Sequence, residues 1–103
     1  MSTNAPLIPN EHLEIAATVL KVIAHPKRLR INELLIKHKR LTVTKLAKLM
    51  GAPPNTISQH LKLMKAHQVV DAQREGRFIY YVSVHPAAAT MLKCIRKNSG
   101  RFL

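Results

Sequence analysis

Acidic residues are scarce in this 103-residue chain: five Asp and Glu stand against seventeen Lys and Arg, a formal net charge of +12. Tryptophan is absent and Cys94 is the single cysteine. One thiol can neither close an internal disulfide nor supply a four-thiolate zinc site. The three glycines, Gly51, Gly76 and Gly100, are isolated from one another, which leaves no phosphate-cradling loop. With so few acids no paired-carboxylate arrangement emerges, nor any Ser-His-Asp or Cys-His set, so an enzyme is not expected. No apolar run approaches the roughly 18–20 residues of a membrane span. The opening residues Met1 to Pro6 carry neither a basic nor an apolar stretch, so no secretory signal is read there and cytoplasm is the expected compartment.

What remains is a small globular domain, 47% hydrophobic, with room for one core. A chain this short leaves much apolar surface exposed, and pairing is a common way to bury it. The surplus of positive charge points to a polyanionic partner, most often nucleic acid. Its distribution sharpens that reading. Residues 1–24 carry one base and two acids, whereas residues 25–48 carry eight bases and one acid, net +7. Residues 49–77 add a net +2 and residues 78–103 a net +4.

Residues 1–10, with Pro6 and Pro9, read as an arm, residues 11–97 as the folded domain and residues 98–103 as a tail. Leu13, Ala16, Ala17, Leu20 and Ile23 fall at the offsets of a buried helical stripe. His25-Pro26 ends that helix and opens a second running to about Lys37, with Leu29, Leu34 and Leu35 as its expected core positions. A short helix from Thr42 to Met50 places Val43, Leu46, Ala47 and Met50 on one face, capped by Thr42 and ended by Gly51. A fourth, from about Asn55 to His67, turns Ile57, Leu61 and Met64 inward. The pair spans about 42–67 and reads as a helix-turn-helix. Over about 69–84 the period changes to β-branched and aromatic residues around Arg74-Glu75-Gly76-Arg77, a two-strand hairpin. Helical spacing returns after Pro86, with Met91, Leu92 and Ile95 as apolar positions. The predicted fold is mainly α: four helices, a β-hairpin and a fifth helix.

Leu20-Lys21-Val22-Ile23-Ala24-His25-Pro26-Lys27-Arg28-Leu29-Arg30-Ile31, Leu41-Thr42-Val43-Thr44-Lys45-Leu46-Ala47, Thr56-Ile57-Ser58-Gln59-His60-Leu61-Lys62 and Arg74-Glu75-Gly76-Arg77-Phe78-Ile79-Tyr80-Tyr81 occur in that order and spacing. The stretch they define resembles the ArsR/SmtB family of small winged helix-turn-helix repressors. The resemblance implies a homodimer joined by the first and last helices. It also implies a sequence-specific regulator of transcription bound to double-stranded DNA at an inverted-repeat operator, with half-sites about 34–36 Å apart. It makes Asn55, Thr56, Ser58, Gln59, His60 and Lys62 the candidate contacts of the recognition helix, with Thr56, Ser58, Gln59 and His60 reading bases. Asn55 is alternatively a helix cap, and His60 a buried, hydrogen-bonded histidine. Arg74 and Arg77 flank the wing tip as minor-groove or phosphate contacts, with Glu75 orienting an arginine there. Lys39, Arg40 and Lys45, together with Lys27 and Arg28, are candidate phosphate contacts.

The pattern departs from the family's metal sensors. Their Cys-x-Cys at the start of the first motif helix reads Thr42 and Thr44 here, and hydroxyls are poor ligands for soft ions. Of the other family site, Ser83-Val84-His85 keeps only the histidine, and the later ligand positions fall near Arg96 and Ser99. No metal and no cofactor is expected, and the effector is left open between redox, a small ligand, a protein partner and none. Cys94 is expected to be a small core residue, with a redox thiol or intersubunit disulfide as its alternative. Two other functional readings stand beside the main one: a metal-responsive repressor with a non-standard site, and a winged-helix module that docks a protein. Ser58, Gln59 and His60 together with Arg74 and Arg77 argue against the last, since such docking has no need of polar reach from both helix and wing. The charge distribution generates the first test. If six to ten phosphates are neutralised, DNA affinity measured by fluorescence anisotropy will fall about 10³–10⁵-fold between 50 and 200 mM salt.

Overall fold

A computed structural model describes residues 5–102. The first four residues of the expected arm and the last of the expected tail lie outside the described residues. The elements run α1 (Asn10–Ile23), α2 (Pro26–His38), α3 (Val43–Met50), α4 (Pro54–Ala66), β1 (Val70–Glu75), β2 (Phe78–Ser83) and α5 (Pro86–Lys97), closed by a 3₁₀ turn over Ser99–Arg101. Five helices and an antiparallel two-strand hairpin therefore appear in the order the sequence predicts.

Local chemistry sets the boundaries. Both His-Pro pairs start a helix in the same way. The His25 ring accepts the Lys27 amide at Nδ1 (3.1 Å) and the His85 ring accepts that of Ala87 (3.1 Å). In each case proline occupies the first turn, where its missing N–H costs nothing. Thr42 caps α3 by accepting the Lys45 amide at 3.2 Å. Gly51 ends that helix at φ +59°, a left-handed conformation that glycine adopts without steric penalty. The hairpin register pairs Glu75 with Phe78, so the turn is the two residues Gly76-Arg77, tighter than the four-residue turn expected. Gly76 supplies the positive φ of +62° that a two-residue hairpin loop requires.

One core joins the elements. Ile31 and Leu35 of α2, Leu46 and Ala47 of α3, Ile57, Leu61 and Met64 of α4, and Val69-Val70 at the foot of the hairpin are buried together. On α2 the buried face carries Ile31, Asn32 and Leu35, while Leu29 and Leu34 are only half-buried. The predicted stripe of α1 is also corrected: Ile23 and its neighbour Val22 are buried, but Leu13 is 48% exposed, Leu20 is 39% exposed, and Ala16 and Ala17 face solvent. His85 and Ala87, at the start of α5, border that face across an open apolar groove lined by Ile15, Ala16 and Leu20. Cys94 is likewise exposed on α5 rather than in the core.

Asn32 is the one fully buried polar side chain among the described residues. Its Nδ2 donates to the Arg28 carbonyl (3.2 Å) and its Oδ1 accepts the Ser83 hydroxyl (3.1 Å). The pair ties α2 to the end of β2. Leu41 adds a second tie through paired backbone bonds with Tyr81 (3.2 and 2.8 Å), an edge contact the sequence did not announce. Ser83→Ala leaves Asn32 Oδ1 buried without a donor and is expected to cost about 1–3 kcal/mol in urea denaturation.

Candidate nucleic-acid interface

Because Ile57, Leu61 and Met64 are fully buried, the helical period turns the opposite face of α4 outward. Asn55, Ser58, Gln59 and Lys62 are exposed there, and Thr56 and His60 are half-buried at its margins. Asn55 is the second residue of the helix. The cap position belongs to Pro53, which makes no side-chain capping bond, so the reading of Asn55 as a cap is corrected.

His60 is the most constrained of the row. Its ring packs against that of His25 (centroids 5.0 Å, tilted 55°), and its Nδ1 lies 3.5 Å from an Arg28 guanidinium nitrogen. Partial burial pushes its pKa below the usual 6.5, and the neighbouring His25, Arg28 and Lys27 add to that shift. Arg28 is not a free surface charge, since its Nε–H donates to the Val22 carbonyl at 2.6 Å and the side chain is half-buried.

The wing holds its own basic cluster. Arg74 and Arg77 flank Gly76 and are exposed, with Arg74 Nε 3.4 Å from the Gly76 carbonyl and the Arg77 guanidinium over the Phe78 ring at 5.5 Å. Glu75 does orient an arginine, but that arginine is Arg40, from the loop before α3, not one at the wing tip. Arg40 also lies 4.0 Å over the Tyr80 ring. The hydrogen bond from Arg40 holds the Glu75 carboxyl below its ordinary range and raises the Arg40 pKa in turn. Lys39, Lys45 and Lys62 are exposed and make no ion pair among the described residues. Lys39 leaves α2 at φ +75°, a left-handed conformation.

A shallow cleft between α4 and the wing is lined by Ser58, Lys62, Lys65, Ala66 and Tyr81. Lys65 and Tyr81 were not singled out from sequence. The i, i+3 spacing of Lys62 and Lys65 is the signal that would have found the first. For Tyr81, only the hairpin register places it facing α4. Cys94 of α5 is exposed. His85, the surviving position of the family's second metal site, is used as the cap of α5. No group of three or more His, Cys, Asp or Glu side chains suited to a metal ion occurs among the described residues. Nor is any described helix long and apolar enough to cross a membrane.

A helix pair joined by a tight turn, an outward polar row on the second helix and a basic hairpin beside it define a winged helix-turn-helix protein. Residues 23–72 match a family described as a helix-turn-helix domain. The chain is similar to the transcriptional repressor PagR of Bacillus anthracis, 40% identical over 83 residues that cover 81% of this chain and 83% of PagR. The crystal structure of PagR aligns with a TM-score of 0.77 and 38% identity over 84% of this chain and 99% of that one. The nodulation protein NolR of Rhizobium meliloti is 38% identical over 100 residues, 95% of this chain and 81% of NolR. The transcriptional repressor SmtB of Mycobacterium tuberculosis is 36% identical over 73 residues, 71% of this chain and 53% of SmtB. The chain belongs to the ArsR/SmtB family of winged helix-turn-helix proteins and is a DNA-binding transcriptional regulator.

The depressed pKa of His60 has a sign that can be tested. Below about pH 6.5 the unfolded chain binds a proton there that the folded chain resists. Stability is therefore expected to fall as pH drops from 6.5 toward the lower folded value, and His60→Gln to reduce that fall in parallel urea titrations.

Proposed function

We propose that the chain acts in the cytoplasm as a homodimeric repressor, its 11–97 domain occupying an inverted-repeat operator with α4 of each protomer in the major groove. The observation that carries this reading is the outward polar row of α4, Asn55, Ser58, Gln59 and Lys62, set beside a wing whose tip exposes Arg74 and Arg77. Thr56, Ser58, Gln59 and His60 read base edges, Asn55 and Lys62 hold the strand beside them, and Arg74 and Arg77 enter the flanking minor groove. Lys39 and Lys45 contact phosphates, and Arg40 does so from its seat on Tyr80 and Glu75.

The dimer is supported by the apolar residues left exposed on α1 and α5. Leu13, Ile15, Leu20 and Met91 are between 36% and 66% exposed in the protomer. A second copy covers such a face and sets two recognition helices about one helical turn apart, roughly 34–36 Å. A repressor role is supported by the similarity to PagR and SmtB, both named as repressors. In this reading the chain needs no bound metal or cofactor to engage DNA.

Selection of random duplex DNA by the purified protein tests the proposal. An enriched inverted repeat is expected, while uniform binding with no enriched motif would contradict it. On the selected duplex, Gln59→Ala is expected to lose ~1–3 kcal/mol of discrimination against mismatched sites, and Lys39→Ala to weaken all sequences about equally. Equal losses by both variants on selected and random DNA would contradict the division between reading and phosphate contact.

A further inference from the structure

We infer that Arg28 is a positioning residue that fixes His60 as the Nε2–H tautomer, so that the recognition helix presents a committed hydrogen-bond donor to the DNA. The inference rests on α4 being the DNA-reading helix proposed above, and it adds a specificity determinant that lies on α2. The guanidinium has only donors. One of them, Nε–H, is anchored on the Val22 carbonyl at 2.6 Å, at the C-terminal end of α1. Anchored in this way, the group sets Nη1 3.5 Å from His60 Nδ1. A nitrogen facing a donor-only cation is favoured as an acceptor, so the ring proton of neutral His60 belongs on Nε2. On the other side His25 closes the ring in, and its own Nδ1 is occupied as acceptor of the Lys27 amide.

Nε2 is the open end of the ring. It has no hydrogen-bond partner among the described residues, and no buried side-chain nitrogen or oxygen among them lacks one, so Nε2 is accessible to solvent. Protonating the ring would put a second donor against the guanidinium. His25, Lys27 and Arg28, the titratable and charged groups of the α1–α2 junction around it, all oppose the added charge, in keeping with the direction in which His60 titrates. A fixed donor at this place discriminates by chemistry. Guanine offers two acceptors, O6 and N7, in the major groove, whereas cytosine offers an amino donor there. The contacted position is therefore expected to favour guanine over cytosine.

The test has two arms. In the free protein labelled with ¹⁵N-histidine, the two-bond ¹⁵N–¹H correlation reads the tautomer of each ring directly. His60 is expected as a single Nε2–H species at neutral pH, and Arg28→Met, which keeps the stem and removes every donor, is expected to release a tautomer mixture. A mixed or Nδ1–H ring in the unmodified protein, or an unchanged ring in the variant, would overturn the role of Arg28 whatever DNA does. On duplexes carrying the selected motif and differing at single positions, Arg28→Met is expected to reduce a guanine-over-cytosine preference at one position by about three- to tenfold, the worth of one hydrogen bond. A changed tautomer with unchanged base preference would overturn the link from His60 to base readout. Failure of the unmodified protein to select any motif would instead count against the proposed function, and the free-protein arm would still decide the role of Arg28.

Discussion

The burial of Ile57, Leu61 and Met64 is the constraint on which the rest of the arrangement depends. Three side chains at helical spacing, all fully enclosed, fix the rotation of α4 about its own axis. Once that rotation is fixed, the exposure of Asn55, Ser58, Gln59 and Lys62 follows from the period of the helix alone. The partners that enclose them come mostly from α3 and β1, with α1 adding a smaller share, so the short helix and the foot of the hairpin are the bed in which α4 lies. Gly51 and the Pro53-Pro54 pair then define how closely α3 and α4 can follow one another.

The wing is held to this bed by polar ties more than by bulk. Leu41 pairs with Tyr81 through the backbone, Ser83 reaches the buried Asn32, and Arg40 lies on Tyr80 while pairing with Glu75. These ties run from α2 and the α2–α3 loop, so the hairpin and the recognition helix share one frame although they are consecutive only through His67, Gln68 and Val69. The exposed Arg40–Glu75 pair contributes little to stability by itself. Its consequence is geometric, since it keeps a guanidinium beside the wing and leaves Arg74 and Arg77 to project from the tip. On α5, the bond from Arg96 to Glu33 (3.2 Å) and the burial of Ala88 dock the last helix on α2.

The order of elements was legible in the sequence because each boundary has a local chemical cause. The His-Pro pairs, Thr42, Gly51 and Gly76 announce helix starts, a helix end and a turn without reference to the rest of the chain. The inward positions of α4 were legible for the same reason. On α1 and α2 the pattern was less informative, because both helices carry apolar residues on more than one face. Which face is covered depends on what lies beside the helix, and periodicity carries no record of neighbours. Asn32 illustrates the point: a polar residue is buried there because Ser83, fifty-one positions away, supplies its donor. The same limit applies to the interface. The residue types of α4 and the wing named its members, but the Arg40–Tyr80–Glu75 cluster, the Arg28–His60 contact and the position of Tyr81 are products of tertiary packing. Cys94 lies outside the core because only one face of α5 is covered, with Ala88 as its buried residue, and composition does not show which face that is.

The central claim is that the outward face of α4 and the tip of the wing together form the surface that meets DNA. Backbone amide chemical shifts recorded while a selected duplex is titrated into the labelled protein test it most directly. The account predicts that perturbations concentrate at residues 55–62 and 74–77, with the buried positions of α2 nearly silent. Perturbations confined to α1 and α5, with the α4 face unmoved at saturation, would contradict it.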